Sequence, residues 1–510
     1  MAKTSVLKSK LFWVGVLYFA EGFPLGVFYE ILPVHFRMQG IDLTDIGFLS
    51  LLGLTWSIKF LWAPAVDRYR RHRTWMLVVD LCMASVMLML AAYSDFGSWM
   101  WFAIAFFTLL SATNDIAIDG YTVEFLDKGE YGLANGVRIG LYRVGLLAAG
   151  ALLWAQPLIG WSGVYFCAAI VLVLMGIACR TAPEEPPAAR SSSGDDDPHR
   201  TTVTASDEFR ILIRQPLVLA PAVMLLAGLL VFALGGPLRQ LGFQSASNAM
   251  PAISLALVGL ALLTGVVNRR RGVQFDSSRF ADGPFFGAFL RMSARRYFFP
   301  VLLFILTFKL ADQTIGFMIK PFWVDAGFSA RQIGVVSVQI GIVLSIAGGL
   351  AGGWFTDRVG VFRGLWILGL TQIFSNLGYA WLAHEFPLPG MPIEQPLDHQ
   401  VMMYAASAVE SFTQGLGTGA FLAFLMSIVN KRNAATEYAV LSSIFVLARS
   451  VAGWAGGFGA EAFGYADFFL LTFFLGLPAY LLLPWVRKML EAVDAADAAT
   501  AGEVMSERQS

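Results

Sequence analysis

The chain reads as an all-α polytopic membrane protein, with two six-helix halves plus an inserted helix pair and about fourteen transmembrane helices. Three observations predict this. First, 57% of its 510 residues are hydrophobic and only 14% charged, with mean hydropathy +0.64, whereas soluble domains carry about 25% charged residues. Second, apolar runs recur along the whole chain near the ~20 residues that a helix needs to cross a bilayer. Third, a short pattern appears twice, each time spaced by one helix length. The ~10-residue alternating segments of a membrane barrel are absent from the pattern.

The expected helices run 11–34, 46–65, 75–94, 99–126, 133–155, 163–180, 211–235, 250–267, 297–319, 333–355, 365–384, 401–429, 437–460 and 466–486. The first follows MAKTSVLKSK and resembles a signal peptide, but its apolar run continues past any small-residue cleavage site, so it is read as an uncleaved span. Cys82, Cys167 and Cys179 lie in apolar runs without metal-ligand spacing and are read as packing residues. No metal site and no cofactor is expected. Net charge is zero, so nothing points to nucleic acid. The expected partners are a small-molecule substrate, protons and the bilayer, with the protein a monomer.

The distribution of basic residues sets an orientation. With the N-terminus in the cytoplasm, 27 of the 36 Lys and Arg fall inside and four outside, namely Arg37, Arg239, Lys320 and Arg331. The inside loops include DRYRRHR at 67–73 and NRRR at 268–271. An even helix count then places both termini inside.

The repeat pairs Ile46-Gly47-Phe48-Leu49-Ser50 leading to Asp67-Arg68 with Ile333-Gly334-Val335-Val336-Ser337 leading to Asp357-Arg358. Glu130-Tyr131 with Arg143 and Glu437-Tyr438 with Arg449 are a weaker echo. Two similar six-helix halves are the arrangement of the major facilitator superfamily. The expected domains are residues 1–181 (first half), 182–210 (polar cytoplasmic linker), 211–296 (inserted pair and basic loop), 297–488 (second half) and 489–510 (disordered tail). In that superfamily the Asp-Arg turns act as gates, so Asp67, Arg68, Asp357 and Arg358 are gating candidates. Gly348, Gly349, Gly352 and Gly353 before the second turn favour close helix contact.

Charged residues at membrane depth are costly, roughly 2.5–3.5 kcal/mol each, and rarely lack a role. The fourth helix carries Asn114, Asp115, Asp119 and, nearer its end, Glu124. Asp115 and Asp119 are four apart and share a face. Arg138 and Arg143 on the next helix are their expected partners, either as a structural ion pair or as part of a coupling device. Glu21 lies within the first helix beside Gly22, Pro24 and Gly26, which favour a break or bend there. Lys59, the Lys309/Asp312 pair, Gln339, Gln372, Asn376, Glu410, Gln414 and Arg449 are further polar points. Tyr18, Trp56, Tyr121 and Tyr142 are candidates to stack on sugar rings.

Several segments resemble AmpG-type permeases of the major facilitator superfamily. They include YFAEGFPLGVFYEILPVHFRMQGIDLTDIGFLSLLGLTWSIKFLWAPAVDRYRRHRTW, ATNDIAIDGYTVEFL, ANGVRIGLYRVG, KLADQTIGFMIKPFWVDAGFSARQIGVVSVQIGIVLSIAGGLAGG and GLGTGAFLAFLMSIVNKRNAATEYAVLSSI. The resemblance implies proton-driven import of anhydro-muropeptides across a bacterial inner membrane. A related branch comprises acetyl-CoA transporters, so another anionic metabolite such as a CoA ester is the alternative substrate. The chain departs from the family pattern at Asn114 and Gly120, and its first gate lacks the usual Gly-Arg-Arg. Within this reading Glu21, Asp115, Asp119 and Asp312 handle protons or substrate. Lys59, Arg138, Arg143, Lys309 and Arg449 are counter-charges or anion-binding groups. A membrane-embedded transferase is the rival from another class. The five His lie in loops or at helix ends, and duplicated Asp-Arg turns have no part in such an enzyme.

Overall fold

The computed structural model describes residues 10–59, 71–93, 99–126, 131–184, 297–428 and 434–493, with isolated residues between them. The inserted pair expected at 211–235 and 250–267 lies almost wholly outside these residues, as do Asp67, Arg68 and Arg239. The Glu124 side chain is likewise outside the description.

Twelve helical rods are present among the described residues. In the first half they are α1 (Lys10–Met38), α2 (Leu43–Ile58), α3 (His72–Ala92), α4 (Trp99–Phe125), α5 (131–159) and α6 (161–180). In the second half they are α7 (Phe298–Asp325), α8 (Ala330–Val359), α9 (Val361–Glu385), α10 (Leu397–Ser427), α11 (434–463) and α12 (465–476, continuing beyond). Among the described residues, seven stretches are long and apolar enough to cross a membrane by themselves. α1 begins and α12 finishes at one end of the bundle, here the terminal end; the other is the far end.

Local sequence explains the irregular points. Of the break or bend that Gly22, Pro24 and Gly26 favour, the break does not occur in α1. It runs on through Pro24 and relaxes into a π turn at Val27–Ile31, which accommodates the backbone bond that proline cannot make. α7 likewise runs through Pro321, past its expected end at 319, and closes at Asp325. It is instead interrupted at Lys309, whose ψ of 4° is non-helical. The turn between α5 and α6 is made by Gly160 (φ 66°) and that between α11 and α12 by Gly464 (φ 74°). Left-handed φ suits glycine, so the repeat includes a turn that was not read from the sequence. α8 starts with a capping box: Ser329 Oγ accepts from the Gln332 backbone N–H, while Gln332 Oε1 accepts from that of Ser329. α12 also overruns the expected start of the tail at 489. It is helical to 493, with an Arg487–Glu491 pair at 2.9 Å one turn apart.

Within the first half α1 packs on α5 and α3 on α4 and α6; within the second, α10 packs on α8 and α9. The α8–α10 contact uses the small residues. A side chain at Gly348 or Gly352 would run into the backbone of Phe412 or Leu416, and one at Gly415 into Ser345. The halves meet where α2 crosses α11 and α5 crosses α8. Gly47 lies against Gly457, and Gly334 against the Leu153 side chain.

The apolar core has a corresponding asymmetry. One cluster, from Phe23 and Leu49 to Trp323 and Phe469, is shared by both halves and fills the far end. At the terminal end there are two separate clusters. One is built on Val14, Ile118 and Phe125 of the first half, the other on Phe304, Phe424 and Leu483 of the second. The halves are therefore welded at the far end and packed independently at the terminal end.

Candidate functional site

Three larger polar regions lie inside the bundle among the described residues. The first belongs to the N-terminal half and gathers residues from four helices. Lys59, just past α2, lies 3.6 Å from Asp115 and 3.5 Å from Asp119 of α4. Arg138 of α5 reaches the other Asp119 oxygen at 3.1 Å, and the Tyr18 hydroxyl of α1 donates to that oxygen at 2.9 Å. The Arg138 guanidinium also covers the Tyr18 ring, 4.5 Å from its centroid. Glu21 is buried one turn along α1 from Tyr18, within the electrostatic field of Asp115, Asp119, Lys59 and Arg138. Among the described residues, Glu21 Oε2 and Asp115 Oδ1 have no hydrogen-bond partner. Three carboxylates thus share two cations, with acceptor capacity left over. Glu21, Lys59, Asp115, Asp119 and Arg138, singled out separately in the sequence, converge here.

Asn114 does not join them. It is about 100° around α4 from Asp115 and donates to Asp80 Oδ1 of α3 at 2.8 Å in the buried interior. Asp80 was missed in the sequence, although it is the one carboxylate in the apolar run His72–Ala92.

The second region is the Lys309 hinge of α7. Its ammonium donates to Asp312 Oδ2 at 3.1 Å, Gln372 Oε1 at 2.6 Å and the Gln414 carbonyl at 3.5 Å. Lys309 is 3% exposed. Of the two expected roles, counter-charge or anion binding, this geometry is that of a counter-charge to Asp312 within the second half.

The third region is a cavity of about 340 Å³ between the halves. α1 and α5 contribute Tyr29, Glu30, Tyr142 and Arg143; α7, α10 and α11 contribute Asp312, Lys320, Glu410, Gln414 and Arg449. Lys320 pairs with Glu30 at 2.7 Å. Arg449 lies over the Tyr29 ring, 4.3 Å from its centroid. Arg143, expected beside Asp115 and Asp119, instead faces this cavity. Of the proposed stacking residues, Tyr142 lines the cavity and Tyr18 belongs to the α4 cluster. Trp56 packs edge-on to Phe28. Tyr121 is corrected: it is fully buried, stacked on Phe125, and its hydroxyl donates to the Pro183 carbonyl.

Beyond the cavity the far end is latched by polar contacts across the halves. Arg37 of α1 grips Asp325 of α7 with two hydrogen bonds of 2.6 Å, and the Tyr465 hydroxyl of α12 donates to the same carboxylate at 2.7 Å. The Leu43 amide at the start of α2 donates to Glu461 of α11 at 2.9 Å. Ser50 donates to the Ser450 carbonyl at 2.7 Å. Arg331 of α8 lies over Trp154 of α5. Sequence reading missed this latch because its partners are up to 418 residues apart. One signal was available: Arg37, Lys320 and Arg331, three of the four basic residues that break the charge bias, all make these cross-half contacts. At the terminal end, Asp357 and Arg358 are exposed, with Arg358 over Trp354.

Paired six-helix halves around a shared polar cavity are the architecture of a multi-pass membrane transporter. The Major Facilitator Superfamily model matches residues 11–276, just over half of the chain, and the protein belongs to that superfamily. It is similar to the anhydromuropeptide permease of Escherichia coli (strain K12), at 29% identity over 496 residues covering 93% of this chain and 79% of that one. It is also similar to "Putative transporter AmpG 4" of Rickettsia conorii, at 24% identity with 96% of this chain and 99% of that one covered. Among solved structures, a bacterial homolog of the human lysosomal transporter Spinster, in an inward-facing and unoccupied conformation, superposes with TM-score 0.61 at 12% identity. That match covers 96% of this chain and 99% of the other. An auto-inhibited POT family peptide transporter gives TM-score 0.58 at 16% identity, covering 94% and 96%. These structural likenesses carry the fold alone.

Proposed function

We propose that the protein imports anhydro-muropeptides by proton-coupled alternating access across the bacterial inner membrane, as a monomer with both termini in the cytoplasm. The observation that carries this reading is the cavity between the halves, sealed by a shared core and latch at the far end and flanked by separate cores at the terminal end. With the charge bias placing the terminal end inside, this is the inward-facing state of a carrier. The name of the Escherichia coli relative, anhydromuropeptide permease, supplies the substrate class. Arg143 and Arg449, one from each half, supply cationic groups for its carboxylates.

The α4 cluster is the proposed coupling device. A carboxylate that exchanges a proton for a Lys or Arg partner changes the ties among α1, α2, α4 and α5. Asp119, held by Lys59, Arg138 and Tyr18 together, is its centre. Asp357 and Arg358, with Asp67 and Arg68, are proposed to close the terminal end in the opposite state, when the far-end latch opens. The test is uptake of labelled anhydro-muropeptide into vesicles containing the protein under an imposed pH gradient. Gradient-driven accumulation is expected; none with demonstrably folded protein would sink the reading.

A further inference from the structure

Charge pairing across the central cavity leaves a residue that the transport reading does not yet use. Lys320 is neutralised by Glu30 and Asp312 by Lys309. Among the described residues, the formal charges on the wall left without an ion-pair partner are Arg143, Arg449 and Glu410. Glu410 comes from the middle of α10, is 8% exposed, and lines the cavity. Among the described residues, the one hydrogen bond to its carboxylate is from the neighbouring Ser411 hydroxyl at 3.3 Å. A carboxylate so deeply buried is costly unless a cation or several donors meet it, and a single long hydroxyl bond falls well short of that.

Resting on the transport reading above, we infer that Glu410 is an ammonium-binding subsite and that the cavity is built for a zwitterionic cargo. The carboxylates of the cargo meet Arg143 and Arg449, and a primary amine on its peptide meets Glu410. Two guanidinium groups and one carboxylate complement a molecule with at least two carboxylates and one ammonium. The geometry adds a directional element, because Arg143 belongs to the first half while Glu410 and Arg449 belong to the second. A cargo held at both Arg143 and Glu410 spans the halves. An ammonium also has the donors that Glu410 lacks, since it brings three N–H groups to one site. The disaccharide without its peptide has no amine and leaves Glu410 unmatched.

The test is counterflow exchange in proteoliposomes at equal pH on both sides, where no net proton movement is needed. The labelled probe is an anhydro-muropeptide with a free peptide amine, compared with the same compound N-acetylated at that amine. The unmodified protein is expected to favour the free amine by about 10- to 100-fold in half-saturation, the range of a charge-assisted hydrogen bond. Glu410→Gln is expected to collapse that ratio to about one, and Glu410→Asp to keep part of it. Thermal melting of the purified variants reports whether they fold, and the unmodified protein tests the preference without any substitution. Equal use of both compounds by the unmodified protein overturns the inference. So does a Glu410→Gln loss that is the same for both, which would mark a coupling or structural group. Failure of the unmodified protein to exchange either compound would overturn the cargo reading itself.

Discussion

The two buried charge clusters solve the same problem in opposite ways. In the second half Lys309 and Asp312 are matched one to one, are 3% and 6% exposed, and the lysine's remaining donors go to Gln372 and the Gln414 carbonyl. In the first half Glu21, Asp115 and Asp119 share Lys59 and Arg138, with the Lys59 contacts at 3.5 and 3.6 Å and two carboxylate oxygens without a hydrogen-bond partner among the described residues. Asp119 and Lys59 are about one-third exposed. A satisfied buried pair stabilises one geometry. An over-acidic, partly wet cluster has several arrangements of similar energy, which is what a group that gains and loses a proton requires. On the proposed reading, the Lys309 hinge locks and the α4 cluster switches.

Four sets of substitutions would break or sharpen that contrast. Asp119→Asn removes the carboxylate on which Lys59, Arg138 and Tyr18 converge; gradient-driven accumulation should be abolished while exchange at equal pH survives, read by vesicle uptake. If neither Asp119→Asn nor Asp115→Asn reduces accumulation, α4 is not the switch. Lys309→Met leaves Asp312 charged and uncompensated, which should cost about 3–5 kcal/mol in thermal or denaturant unfolding. Adding Asp312→Leu should recover most of it. Were Lys309→Met harmless, the hinge would not be a lock. Arg37→Ala cuts the latch to Asp325 and should shift the balance toward the state open at the far end by about tenfold. The readout is labelling of a cysteine introduced near Tyr465, which should quicken. Gly348→Val drives a side chain into the Phe412 carbonyl and should cost about 1–3 kcal/mol of stability, with any effect on transport following from that loss alone.

The α4 cluster was partly legible because its members are charged residues inside apolar runs, and each stands out singly. The i, i+4 spacing put Asp115 and Asp119 on one face, and helix adjacency suggested α5 as a partner. It could not separate Arg138, which meets Asp119, from Arg143, which is five residues on and faces the central cavity. Asn114 was grouped with its neighbour Asp115, yet one residue of helical rotation sends it to Asp80. Lys320 and Arg37 counted only as exceptions to a charge bias until Glu30 and Asp325 appeared opposite them.

By itself the sequence determined what one-dimensional physics controls. Apolar length set the helices, basic residues set their expected sense, and a repeated pattern set the two halves. Some boundaries shifted: the helix expected to end at 319 runs on through Pro321 to Asp325. Tertiary structure alone decided which half each charge serves, which arginines reach the cavity, and which end is sealed. Those outcomes depend on contacts between α1 and α7, α2 and α11, or α5 and α8. Their energies arise between residues hundreds of positions apart, and no periodicity along the chain encodes them.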